Sequence, residues 1–232
     1  MVQLLPDGSS AGDGVPKQYL RIGKRTVIEC TLSRLDSANC FAGVVVVLNA
    51  EDAVWPTLSV ELHTPMFTTT GGDERMHSVL NGLLALEDKA AANDWVLVHD
   101  VVRPCVRQAD ILTLMKTLRE HDSGGLLVSP IRETLKQAAH VHDDNNGVAV
   151  AQTLDRNGYR LAATPQMFRY DKLKAALQGV IADGATVTDE AQAMELAGYP
   201  VMMLDGAADN IKITFPEDLL LAEFILARQA HD

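Results

Sequence analysis

Asp100 and Arg103, three residues apart in His99-Asp100-Val101-Val102-Arg103-Pro104, are well placed for phosphate chemistry. The apolar run Trp95-Val96-Leu97-Val98 precedes them and reads as a strand buried on both faces. Asp100 therefore stands at a strand's carboxyl end, where open α/β sheets bind ligands. A carboxylate there can hold Mg²⁺, with water and phosphate oxygens completing the shell. Arg103 keeps its charge at any physiological pH. Taken alone, Asp100 also fits a helix cap or a turn.

Further polar and basic residues recur at predicted strand ends and helix starts. They are Asp155-Arg156-Asn157-Gly158, Thr164-Pro165-Gln166, Thr188-Asp189-Glu190 and Asp209-Asn210-Ile211-Lys212. Arg156, Thr164, Thr188 and Lys212 supply two cations and two hydroxyls, a set suited to a phosphate monoester. Each has a plain structural reading as well, since threonines cap helices and lysines sit on surfaces. Lys17, in Pro16-Lys17-Gln18-Tyr19-Leu20, reads by itself as a solvated charge. In Gly71-Gly72-Asp73-Glu74-Arg75 the two glycines let backbone approach a flat ligand, and the following helix is expected to carry Ser78 as its third residue. An ordinary strand-to-helix turn fits that segment equally well.

The elements that must position these groups alternate. Runs at 43–48, 95–98, 125–128 and 200–204 read as strands, with apolar helical stripes at 27–35, 76–86, 111–118 and 173–181 between them. Pro216-Glu217-Asp218 opens a C-terminal helix, and Thr188-Asp189-Glu190 opens another that Gly198 ends. Such alternation predicts a doubly wound α/β domain with a mostly parallel sheet, one domain over residues 1–232. The stretch 131–159 breaks the rhythm. Two β-prone arms flank Asp143-Asp144-Asn145-Asn146-Gly147, a strong turn signal, so a hairpin should project from the sheet. A lone hairpin is marginal in water, and a second copy of the chain is its simplest partner.

Composition removes several classes. A net charge of −11 argues against general nucleic-acid binding but not against a local cationic site. No apolar run is long enough for a membrane span, and no signal peptide is visible. Three scattered cysteines suit neither a disulfide framework nor a zinc site, so a reducing cytoplasm is expected. Zinc-protease and nucleophile-elbow motifs are absent. His99 reads as a packed histidine rather than a base, and the methionines as core filler.

Together, from Pro16 onward, these motifs resemble the 2-C-methyl-D-erythritol 4-phosphate cytidylyltransferase family. The resemblance implies a Rossmann-like nucleotidyltransferase with a projecting β-hairpin arm. It implies transfer of CMP from CTP to methylerythritol phosphate with Mg²⁺, by a cytoplasmic homodimer. Lys17, Asp100, Arg103 and Lys212 take the catalytic positions, with Asp100 on the metal. Gly8, Gly12, Gly72, Asp73, Ser78 and Val101 match nucleotide contacts. Thr134, Arg156, Thr164, Thr188 and Lys212 match the sugar-phosphate site, with Thr134 and Arg156 reaching into the partner's site. A related cytidylyltransferase for another polyol phosphate, such as ribitol 5-phosphate, is the alternative substrate reading; a catalytically impaired dimeric nucleotide-binding homologue is the non-enzyme reading.

One segment departs from the family. Its phosphate loop has the form Ala-Ala-Gly-x-Gly-x-Arg-Met, whereas residues 1–16 here contain no Arg or Lys and carry Asp7 and Asp13. Val101 and Val102 stand where the family has alanines, and their methyls are expected to crowd the nucleotide. Either Arg21, Arg25 or Arg75 supplies the missing cation, or catalysis is impaired, or the working loop differs from residues 4–16 as written.

Overall fold

The computed structural model describes residues 2–5, 15–142 and 147–230. A seven-stranded sheet forms its centre: β1 (Val2–Leu5), β4 (Val44–Leu48), β5 (Met66–Thr70), β6 (Trp95–Asp100), β7 (Gly124–Pro130), β10 (Arg160–Arg169) and β11 (Met202–Asp205). The order is β11-β7-β10-β6-β1-β4-β5, and β10 alone runs antiparallel to its neighbours.

Both faces of the sheet are buried, which explains the unbroken apolar runs. Val44 and Val46 enter one core with Leu97 and Leu127, while Val45 and Val47 enter the other with Val96, Val98, Leu126 and Val128. The first core packs under α1 (Val27–Ser37), α3 (Gln108–Leu118) and α6 (Pro216–Gln229). The second packs under α2 (Arg75–Leu84), α4 (Tyr170–Ala182) and α5 (Glu190–Leu196). Thr26 and Glu29 form a capping box that starts α1. The chain leaves β1 toward α1 and β4 on one side, whereas α2 returns it to β6 on the other. The switch point therefore lies at the carboxyl end of β1, beside Asp100.

Several expectations need correction. Strand β10 was absent from the periodicity, because Pro165 interrupts it where the pairing register shifts between Ala162 and Gln166. Strand β5 and the short β2 (Arg21–Ile22) and β3 (Arg25–Thr26) pair were also unread. Ser78 is the fourth residue of α2, not the third. Met202 and Met203 lie on an exposed edge strand, so they are not core filler. The hairpin arm is present as β8 (Lys136–His142) and β9 (Val148–Thr153), a separate antiparallel pair.

Gly124 and Gly125 allow β7 to lie between β10 and β11. A Cβ on Gly124, whose φ is +141°, would sit 2.1 Å from the Met167 carbonyl oxygen, and one on Gly125 would sit 2.2 Å from that of Met202. Gly124→Ala should therefore cost at least about 2 kcal/mol, because backbone rather than a flexible side chain must yield. Urea unfolding of the parent and variant checks this; equal midpoints contradict it.

Candidate active site

Asp100 closes β6, and the backbone fixes it before any partner is counted. Its N–H donates to Thr164 Oγ1 at 2.9 Å, and its carbonyl accepts from Arg103 N–H at 3.0 Å. Thr31 Oγ1 on α1 donates to the Val101 carbonyl at 2.6 Å. His99 lies beneath, fully buried, with Nε2 at 3.1 Å from the Arg103 carbonyl and Nδ1 at 3.2 Å from Thr164 Oγ1. Facing a carbonyl, Nε2 carries the proton, so Nδ1 accepts from the Thr164 hydroxyl. Thr164 is thus engaged in both directions.

Three cations converge on the Asp100 carboxylate. Arg75 Nη2 is 3.1 Å from Oδ1, while Arg103 Nε and Lys212 Nζ are 3.5 Å and 3.6 Å from Oδ2. Burial alone would raise the Asp100 pKa, but Arg75, Lys212 and Arg103 hold it below the usual carboxylate range. Arg75 also grips Glu190, with Nη1–Oε1 at 2.5 Å and Nη2–Oε2 at 3.1 Å. Arg103 Nη1 donates to the Asn210 carbonyl at 2.9 Å, and Asn210 Nδ2 donates to the Thr164 carbonyl at 2.8 Å. The loop carrying Lys212 is tied down further by Arg107 on Asp209 at 2.7 Å and by Ile213 N–H on the Val102 carbonyl at 2.9 Å.

Beside this cluster opens a cleft of about 940 Å³ between the carboxyl ends of β4 and β5. Pro16, Gln18, Asn49, Gly72, Asp73 and Arg75 are among its walls. The close approach is steric in origin: a Cβ on Gly71 would meet Ser78 Oγ at 2.7 Å, and one on Gly72 would meet His77 Cβ at 2.5 Å. Ser78 Oγ instead accepts from Gly72 N–H at 3.1 Å and shapes the turn. A second hollow, of about 260 Å³, lies on the other side of Arg103 and Lys212, against Ser129, Ala162 and Ala208.

The structure thus brings Asp100, Arg103 and Lys212 together and sets Gly72, Asp73 and Ser78 on the adjoining cleft. Lys17 lies in the short turn Lys17–Tyr19, between the cleft-lining Pro16 and Gln18, and is largely buried. Other expectations change. Val101 and Val102 turn their side chains into the core, so their methyls crowd no ligand. Thr164 positions Asp100 instead of presenting a free hydroxyl. Within Thr188-Asp189-Glu190, which opens α5 as expected, Asp189 is the cap, and Thr188 is exposed and donates to Gln192 Oε1. Thr134 and Arg156 lie exposed at the base of the arm, and Arg156 Nη1 donates to the Arg132 carbonyl. Gly8 and Gly12, with Asp7 and Asp13, fall outside the described residues. Of the three arginines offered for the missing loop cation, only Arg75 borders the cleft; Arg21 and Arg25 are exposed and bond to the Lys24 carbonyl and to Ser33. The Arg75–Glu190 pair is the feature that sequence reading missed.

A mostly parallel, doubly wound sheet with clustered cations at its switch point and a ligand-sized cleft beside them is an arrangement suited to binding a nucleotide. The family model for 2-C-methyl-D-erythritol 4-phosphate cytidylyltransferase matches residues 4–228, and the chain belongs to that family. The chain is 47% identical over 206 residues to the enzyme of that name from Pseudomonas aeruginosa, covering 88% of this chain and 86% of that one. It is 43% identical over 221 residues to the one from Hahella chejuensis, covering 95% and 89%. The crystal structure of the Francisella tularensis enzyme superposes with a TM-score of 0.79 at 32% identity, over 97% and 98% of the two chains. That of the Thermus thermophilus enzyme gives 0.78 at 31%, over 98% of each.

Burial pushes the His99 pKa down to about 4 from its ordinary 6.5. A folded chain that keeps His99 neutral binds fewer protons than the unfolded chain between those values. That contribution is intact above about pH 6.5 and lost as pH falls toward 4, about 3 kcal/mol in all. His99→Gln should flatten the fall in stability over that window, as read from urea midpoints at pH 7, 6 and 5. Parallel slopes for parent and variant would overturn the assignment.

Proposed function

We infer that this protein is a cytidylyltransferase that moves CMP from CTP to 2-C-methyl-D-erythritol 4-phosphate and releases pyrophosphate. Family membership over nearly the whole chain supports the reading, and one observation of the site carries it. Asp100 is ringed by Arg75, Arg103 and Lys212 where a nucleotide-sized cleft meets a smaller cationic hollow. The cleft suits CTP, with Gly72, Asp73 and Ser78 toward the base. The hollow suits the polyol phosphate.

A phosphate monoester is already anionic at neutral pH, so the nucleophile needs no general base. Its oxygen attacks the α-phosphorus in line, a new P–O bond forms, and the α–β bridging bond breaks. Pyrophosphate departs with the electron pair. Negative charge spreads over the non-bridging oxygens and the leaving group, where Lys17, Arg103 and Lys212 stabilise it.

Among the described residues no group of three or more His, Cys, Asp or Glu could hold a metal alone. One carboxylate nevertheless fits Mg²⁺ that arrives with a triphosphate, since this ion commonly keeps waters and phosphate oxygens as its other ligands. Asp100 would hold it, and the ion would neutralise charge on the phosphates. The cytoplasm fits the free Cys30, Cys40 and Cys105, and among the described residues no helix is long and apolar enough to cross a membrane.

A homodimer through the arm completes the reading. The β8–β9 pair leaves Val148 and Val150 exposed, an apolar surface that a two-stranded ribbon does not bury by itself. Arg156 then serves the neighbour's site.

Pyrophosphate release with CTP, Mg²⁺ and methylerythritol phosphate, run beside ribitol 5-phosphate, tests the substrate. Asp100→Asn should lower kcat at least about 100-fold with the fold retained; activity within threefold of the parent removes the metal role. Mixing Arg156→Ala chains with Lys17→Ala chains should restore activity in verified mixed dimers, whereas no recovery excludes a site shared between subunits. Grafting a Gly-x-Gly-x-Arg loop before Pro16 should raise kcat at least about tenfold, because its cation acts in the transition state. An unchanged rate means that another residue already supplies that charge.

A further inference from the structure

Glu190 has no role in the reaction described above, yet its carboxylate is 1% exposed. Burying a carboxylate is costly unless it is paired, and an uncharged side chain at this position would avoid the cost. Among the described residues, its compensating partner is Arg75, whose Nη1 and Nη2 meet Oε1 and Oε2. That fork uses one edge of the guanidinium. It leaves a hydrogen on Nη2 aimed at Asp100 Oδ1, 3.1 Å away. Arg75 is therefore a two-ended strut between a structural carboxylate and the catalytic one.

The far end of the strut is rigid. Asp189 caps α5 by accepting from Gln192 N–H at 2.9 Å. Gln166, 1% exposed on β10, donates to Asp189 Oδ2 and accepts from Ala191 N–H, both at 2.9 Å. Glu190 lies between these anchored residues, so its position is fixed relative to the sheet. At the near end, Oδ1 of Asp100 is held by Arg75 and Oδ2 points to Arg103 and Lys212. The plane of the Asp100 carboxylate follows.

We propose that Glu190 is a positioning residue: through Arg75 it sets the orientation of the Asp100 carboxylate for nucleotidyl transfer, without touching either substrate. The proposal rests on the functional reading of Asp100 given above. Lysine cannot replace Arg75, because a single ammonium lacks the two-edged fork that holds both carboxylates.

Glu190→Gln separates positioning from charge. By charge alone, losing an anion next to a phosphate site should strengthen CTP binding and leave kcat unchanged. By positioning, kcat should fall at least about thirtyfold while KM for CTP changes less than about threefold. Arg75→Lys, which keeps every charge, should show a similar loss, and the double variant should be no worse than about threefold below the poorer single one. Assays run well below each variant's Tm, and if Glu190→Gln does not fold, Glu190→Asp, which keeps the charge but shortens the reach to Arg75, should show the same loss of kcat and the same turned Asp100 carboxylate. Ligand-free crystal structures give a readout independent of the substrate: the Asp100 carboxylate should be turned in Glu190→Gln. An inactive parent enzyme would sink the functional reading. A parent-like kcat in folded Arg75→Lys, or an unmoved Asp100 carboxylate in Glu190→Gln, would sink this one.

Discussion

A carboxylate as deep as Asp100 would cost several kcal/mol to desolvate without compensation, and the loops at the carboxyl edge of the sheet are arranged around that requirement. Arg75 comes from the start of α2, Arg103 from the turn after β6 and Lys212 from the segment before α6. Elements distant in sequence share one electrostatic constraint, so disturbing any of them loads the others. The same cluster that makes Asp100 tolerable also creates a positive recess in a chain of net charge −11. A cleft bounded by low-dielectric walls focuses that local field despite the overall charge.

The single antiparallel strand has a structural consequence for the site. β7 runs parallel to β6, so it ends at the same edge as Asp100, and the arm departs from there. The chain re-enters as β10, with Arg160 opposite Pro130, and then runs back down the sheet. Both the root of the arm and the Thr164 hydroxyl are thereby delivered to the edge that carries Asp100. A parallel strand would require a crossover and would deliver neither. The register shift between Ala162 and Gln166 lets Pro165 sit in this strand and frees Thr164 to bond Asp100 rather than continue the ladder.

What could be read from sequence follows from the range of each interaction. Asp100 and Arg103 were legible because an apolar run ends just before them, and local pattern suffices to place a strand end. Lys212 and the glycine turn at 71–72 were legible through the motifs shared with the family. The Arg75–Glu190 fork was not, because its partners are 115 residues apart and Glu190 looks like an ordinary acid opening a helix. Thr164 was placed in the site, but its duty was misread, since only three-dimensional structure shows both hydrogen bonds already used. Val101 shows a different limit: in the turn after β6 its side chain and that of Val102 both enter one core, a direction that a motif match does not report.

The cleft beside this cluster carries charge of both signs. Glu51, Asp52, Asp73 and Glu74 line it together with Arg75, which also meets Asp100. On the proposed function, the exocyclic amine of cytosine can donate to a carboxylate, whereas a carbonyl in its place would meet an acceptor with an acceptor. A triphosphate laid against those acids would meet a Coulomb cost of roughly 1 kcal/mol or more for each close pair in a partly solvated cleft. Repulsion from the acids and attraction to Arg75, Arg103 and Lys212 would then both draw the phosphates toward the Asp100 cluster.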